Sequence, residues 1–189
     1  MFENIIKNVH NRHPLIHCIT NYVSINDCAN IVLACGGAPI MAEDINEVSQ
    51  ITSICQGLDI NIGMLNDNKL SSMLKAGATA NELGIPVILD PVGAGSSDYR
   101  IKAVQNLMSN VQFGVIRGNA IAAKQGIHNI AAGVYDTMQK DKSAMGVEAG
   151  IADKITDDNI KEMADFINKL SQKTGAVIAV TGGIDMVAD

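Results

Sequence analysis

Short apolar runs alternate along the chain with longer stretches in which apolar residues recur at helical spacing. Six runs read as strands: PLIHCIT (14–20), APIMA (38–42), LDINIGML (58–65), PVILD (86–90), FGVIRGN (113–119) and GAVIAVTGG (175–183). Their apolar character is nearly continuous, without alternation, so the pattern predicts parallel strands covered on both faces. Helices are predicted near 22–35, 45–56, 68–83, 98–109 and 157–173. The last is the clearest, with Ile160, Met163, Ala164, Ile167 and Leu170 at helical spacing, Thr156 or Asp157 as cap, and Gly175 past the end. Strand–helix alternation predicts an α/β fold with right-handed crossovers. Residues 120–150, rich in Ala, Gly, Lys and Met, have poor periodicity and no predicted element.

Composition narrows the partners. A chain of 189 residues suggests one domain with a sizeable core. Aromatics are 3% and Trp is absent, so the core is aliphatic and stacking platforms for nucleic acid are not expected. The net charge of −6 also disfavours a phosphate backbone as partner. Cys18, Cys28, Cys35 and Cys55 form no CxxC pair, so neither a zinc site nor a disulfide framework is indicated, and reduced thiols in the cytosol are expected. The start, MFENIIKNVHNRHP, is polar within a few residues and is not expected to act as a signal peptide. Cys28 to Ala42 is free of charge, but Asn30, a glycine pair and Pro39 make it too short and broken to span a bilayer.

In an open α/β sheet, ligands bind beyond the carboxyl ends of the strands. Those ends carry Thr20 and Asn21, Met41, Gly63, Asp90, Arg117 to Asn119, and Thr181 to Gly183. Asp90 suits Mg²⁺ whose shell is completed by phosphate oxygens. Gly93 and Gly95 would let phosphates approach backbone N–H groups at the next helix start. Arg117 can clamp phosphate in bidentate fashion, and Thr181 and Gly182 offer a hydroxyl and open backbone at a nucleotide's edge. Plainer readings stand beside these. An Asp before Pro forms turns, and a GxG turn is common. Arg117 suits a surface salt bridge, and Met41 beside Pro39 and Ile40 suits a core. His10, His13, His17 and His128 have no metal-ligand spacing and read as structural or solvated.

Taken in order, PLIHCITNYVSINDCANIVLACGGAPIMAEDINEV, LDINIGML, GIPVILDPVGAG, VIRGNA and TGAVIAVTGGIDMVAD resemble the hydroxyethylthiazole kinase family nearly end to end. ITNYV, GGAPIMAED and DPVGAG are the specific strings. The resemblance implies a ribokinase-like α/β domain over 1–189, with a mostly parallel central sheet and helices on both faces. It implies a cytoplasmic enzyme of thiamine biosynthesis or salvage. Its reaction is transfer of the ATP γ-phosphoryl group to the primary alcohol of 5-(2-hydroxyethyl)-4-methylthiazole, with Mg²⁺. Asn21, Met41 and Gly63 would line the thiazole pocket, where a thioether suits a small sulfur heterocycle. Asp90 would hold the metal beside ATP, and Arg117 and Thr181 would contact ATP. Family members are trimers with the pocket between subunits, which implies a homotrimer here.

Three departures from the family pattern bear on the chemistry. The pattern places a glutamate three residues beyond Asn119, where this chain has Ala122, so the metal shell is expected to be weaker. Residues 125–145 read as an atypical insertion. The family's glycine-rich segment and base-bearing cysteine lie beyond the match, so the chain reads as truncated and no residue of 1–189 is assigned as the catalytic base. A non-catalytic thiazole- or nucleotide-binding remnant is therefore the alternative to a kinase.

Overall fold

The computed structural model describes residues 2–119 and 155–189. Ala122, His128 and the expected insertion at 125–145 lie outside the described residues. The strands form a seven-stranded sheet in the order β2-β1-β3-β4-β5-β6-β7, which is the α/β architecture that the strand–helix alternation predicts. The chain divides into two compact units, 1–88 and 89–189.

The first unit runs α1 (Phe2–Arg12), β1 (Leu15–Ile19), α2 (Ile25–Ala34), β2 (Ala38–Ile40), α3 (Val48–Ile54), β3 (Gly57–Asn61) and α4 (Asp67–Glu82), and reaches β4 (Val87–Asp90). Strand β1 pairs in parallel with β2, His17 opposite Ile40, and with β3, Ile19 opposite Ile60. His17 and Ile19 point to one face of β1 and Cys18 to the other; all three are buried, so this strand is covered on both faces as predicted. Helix α4 is capped by Asn66, whose side chain accepts from the Lys69 N–H at 2.9 Å. It buries Met73 and the small residues Ala76, Gly77 and Ala80, the latter letting the helix lie close to its neighbour. Helix α1 has no counterpart among the predicted elements, although Phe2, Ile5, Ile6 and Val9 have helical spacing. Strand β3 stops at Asn61, short of the predicted 65. The Asn61 side chain accepts the Gly63 N–H at 2.8 Å, an Asx turn that takes the backbone out of the ladder.

The second unit holds the end of β4, then α5 (Asp98–Asn110), β5 (Val115–Asn119), α6 (Ile160–Thr174), β6 (Val177–Thr181) and β7 (Met186–Ala188). Strands β5 and β6 are parallel, Arg117 opposite Ala179 and Asn119 opposite Thr181. Strand β7, too short to read in the sequence, is antiparallel to β6. Burial here alternates. Ile116, Ile178 and Val180 are buried, while Arg117 is exposed and Val115, Ala179 and Thr181 are half-buried. Among the described residues, the face of β5 and β6 that carries Arg117 is the less buried one. The cap of α6 also differs from expectation. The helix begins after Asn159, whose Oδ1 accepts from the Thr156 N–H at 2.8 Å, so Thr156 and Asp157 belong to a preceding turn.

Gly175 ends α6 as the pattern predicts, in the left-handed region at φ 68°. A Cβ built there meets no described atom within 4 Å. Gly175→Ala should therefore lower stability by backbone strain alone, about 1–2 kcal/mol. Urea unfolding should show a lower midpoint with an unchanged slope; an unchanged midpoint would contradict the strain argument.

Candidate functional site

Three turns crowd the carboxyl ends of β1, β2 and β3. Past β1, the Asn21 side chain accepts at Oδ1 from the Ser24 N–H at 3.0 Å and the Ser24 hydroxyl at 3.1 Å. Its Nδ2 donates to Asn61 Oδ1 at 3.2 Å. Asn61 Oδ1 thus accepts from both Asn21 and Gly63, and the two amides orient each other. A Cβ on Gly63 would lie 2.9 Å from Asn61 Oδ1 and 3.0 Å from Asn21 Nδ2. Glycine is required here by close approach, and the structure brings Asn21 and Gly63 together. Met41 follows β2 at the same edge and is half-buried, outside the core.

Sequence reasoning missed the charged group beside them. Lys69, in the first turn of α4, is 4% exposed. Its ammonium donates to the Thr20 carbonyl, pairs with Glu43 Oε2 at 2.8 Å, and lies 4.5 Å from the centroid of the Tyr22 ring. The Tyr22 hydroxyl donates to the other Glu43 oxygen. Burial pushes the Glu43 carboxyl up, but the bonds from Lys69 and Tyr22 outweigh it and hold it below the usual carboxylate range. The same carboxylate holds the Tyr22 phenol above its ordinary value. Glu43, Asn66, Lys69 and Ser72 border a cavity of about 350 Å³. The strings ITNYV and APIMAED contain Tyr22 and Glu43, but nothing in the sequence marks Lys69 as buried.

His17 supports the Met41 turn from below, and is structural as expected. Its Nε2 lies 2.8 Å from the Ala42 carbonyl, which only accepts, so Nε2 carries a hydrogen. Burial lowers its pKa below the usual 6.5, against the opposing effects of the Ala42 carbonyl and Glu47. Its Nδ1 lies 2.9 Å from the Thr52 hydroxyl, which itself donates to the Val48 carbonyl at 2.7 Å. The other described histidines include His13, whose Nδ1 lies 3.0 Å from the Gly36 carbonyl.

In the second unit, Asp90 ends β4 and Arg117 stands in β5. Their side chains meet at 3.4 Å, with Arg117 53% and Asp90 19% exposed. The salt-bridge reading of Arg117 is therefore realised, and an exposed pair of this kind is worth about 0–1 kcal/mol. Thr181 lies two residues beyond Ala179, the partner of Arg117, so both side chains project from one face of β5–β6. In the turn after Asp90, Gly93 has φ 66° and Gly95 does not have a positive φ. Arg100 Nη1 donates to the Val92 carbonyl at 3.0 Å and closes that turn. A Cβ on Gly182 would lie in ordinary contact with the Ile184 carbonyl at 3.8 Å, and one on Gly183 would meet no described atom within 4 Å. No group of three or more His, Cys, Asp or Glu residues able to hold a metal occurs among the described residues, and no described helix is long and apolar enough to cross a membrane.

Two outcomes test this geometry. Gly63→Ala should displace the Asn21 and Asn61 amides and cost about 1–3 kcal/mol by overpacking. Urea unfolding and a shift of the Asn21 side-chain amide resonances would report it, and an unchanged resonance would refute the contact. For His17, the folded pKa lies below the unfolded one, so the unfolded chain binds more protons between the two values. Stability from this group is present above pH 6.5 and lost as pH falls below it. His17→Phe should flatten that component of the pH profile. It should also cost about 1–3 kcal/mol at pH 8, because the Ala42 carbonyl loses its donor.

Known proteins resemble this chain over nearly its whole length. The defining pattern of the hydroxyethylthiazole kinase family matches residues 6–189. The chain is 50% identical to the hydroxyethylthiazole kinase of Clostridium acetobutylicum, over 100% of this chain and 65% of that protein. It is 46% identical to that of Desulfovibrio desulfuricans, over 100% of this chain and 62% of the relative. The structure of a hydroxyethylthiazole kinase protein from Pyrococcus horikoshii OT3 superposes with a TM-score of 0.78 at 30% identity, covering 98% of this chain and 62% of that one. The chain therefore spans less than two thirds of the length of the relatives it matches. Over that span, pattern, identity and fold agree, and the chain belongs to the hydroxyethylthiazole kinase family.

Proposed function

We propose that this chain binds 5-(2-hydroxyethyl)-4-methylthiazole at the strand ends of its first unit and ATP on its second. The protein transfers the γ-phosphoryl group to the thiazole's primary alcohol in thiamine biosynthesis or salvage. The observation that carries the reading is the junction of Asn21, Asn61 and Gly63, where amides oriented by one another stand at an edge shared with Met41. A small polar heterocycle is recognised by fixed polar groups in a mostly apolar setting, and the Met41 thioether suits its sulfur. The relatives bear the kinase's name, which favours an enzyme over a binding remnant.

In such a transfer the alcohol oxygen bonds to the γ-phosphorus, the bond to the β-phosphate oxygen breaks, ADP leaves, and the alcohol proton is released. Positioning and charge neutralisation do most of the catalytic work. The weak Asp90–Arg117 pair suits this, because a phosphate can recruit the exposed guanidinium at little cost. Thr181 would add a hydroxyl on the same face. One carboxylate, Asp90, fits a Mg²⁺ ion held largely by phosphate oxygens and water rather than by an all-protein cage. When bound, that ion would neutralise phosphate charge. We further propose a cytoplasmic homotrimer. Free thiols support the compartment. The apolar helix α2 supports the assembly: it buries none of its residues within the chain and, with Val23 before it, exposes Ile31 and Leu33.

Calorimetric titration tests the reading. Met41→Ala should weaken hydroxyethylthiazole binding about tenfold, about 1.4 kcal/mol, and leave ATP affinity unchanged. Arg117→Ala should do the reverse. Unchanged ATP affinity in Arg117→Ala would leave that residue as a surface salt-bridge partner only, and unchanged thiazole affinity in Met41→Ala would remove Met41 from the pocket.

A further inference from the structure

Lys69 is a long cationic side chain in the first turn of a helix, where solvent exposure is the usual state. Here it is buried. Taking an ammonium out of water is costly unless partners surround it. The β1–β3 ladder runs to Ile19 opposite Ile60, so the Thr20 carbonyl lies past it, and Lys69 supplies its hydrogen bond. A second contact is Glu43 at 2.8 Å. The third is the face of Tyr22.

Each partner adjoins a residue assigned to the pocket. Thr20 and Tyr22 flank Asn21, and Glu43 lies two residues past Met41. Lys69 itself follows the turn from Gly63, and its own N–H is capped by Asn66. Ile62 and Ala42 are buried and pack the roots of these segments, while the stretch past Glu43 is open. Asp44, Ile45 and Asn46 are exposed, and the cavity beside Glu43 and Asn66 leaves room. We propose that Lys69 is the positioning residue of the thiazole subsite, one ammonium that fixes the turns bearing Asn21, Met41 and Gly63 relative to one another. This rests on the reading of that edge as the thiazole pocket. Lys69 touches no substrate in this account; it acts through Thr20 and Glu43.

The test pairs ligand titration with amide hydrogen exchange on the full chain. Lys69→Met keeps most of the side chain's length and removes its charge. Thiazole affinity should fall about tenfold or more, while ATP affinity stays within about twofold, because only the first-unit turns lose a buried bond. Amide exchange at residues 21–24 and 63 should quicken about tenfold, with β5 and β6 unaffected. General destabilisation would instead lower both affinities or quicken exchange throughout, and would overturn the proposal. Should Lys69→Met fail to fold, Glu43→Gln and Tyr22→Phe, at partly exposed positions, carry the same split at several-fold size. Wild-type affinity for hydroxyethylthiazole in the folded variants, with unchanged exchange, overturns the positioning role. A wild-type chain that binds no hydroxyethylthiazole overturns the pocket reading instead. Local exchange then still tells whether Lys69 holds the turns.

Discussion

Strand β1 pairs in parallel with a neighbour on each side, and this pairing imposes the demands met at the candidate site. Parallel strands end on the same edge, so the chain must turn away three times within a small area. Carbonyls and N–H groups past the ladders then need partners from outside it. Asn61 supplies one by closing the turn to Gly63, and Asn21 supplies another by holding Ser24. Lys69 supplies the Thr20 carbonyl, and His17 supplies that of Ala42. The polar residues that satisfy these turns are the same ones proposed to shape the thiazole pocket. In that proposal, structure and recognition share one set of hydrogen bonds.

Two ion pairs illustrate how burial decides what a charge does. Lys69 and Glu43 meet with the lysine almost wholly enclosed. Removing Glu43 would strand the lysine's charge away from water, so that pair is fixed. Arg117 and Asp90 meet at a longer distance with the arginine half in solvent, so that pair can exchange for a ligand's anion. A fixed pair in the first unit and an exchangeable one in the second suit the two proposed ligands. The thiazole is small and must be placed, whereas ATP brings its own charge and metal.

Much of this was legible in the sequence because strand ends in an α/β sheet are where function collects. The apolar runs located six strands, and the residues at their ends fell where the reading put them. Lengths were overread where a side chain ended a strand, as Asn61 does, because an Asx turn leaves no gap in hydrophobicity. Helix α1 carries its period openly at Phe2, Ile5, Ile6 and Val9, but the polar residues among them hide it from a search for apolar runs. Strand β7 covers three residues, too few for a pattern. Lys69 was illegible for a deeper reason. A lysine in a helical first turn reads as solvated, and only the fold brings Thr20, Tyr22 and Glu43 around it. Sequence spacing identifies what a strand end offers; it does not identify which distant cation holds that end in place.

The most direct test of the central claim is methyl resonance spectroscopy of the chain labelled at its nine methionines, titrated with hydroxyethylthiazole. The account predicts a saturable shift of the Met41 methyl, with the core methyls of Met73 and Met163 nearly still. A Met41 signal unmoved at saturation, or shifts centred on the core methionines, would contradict it.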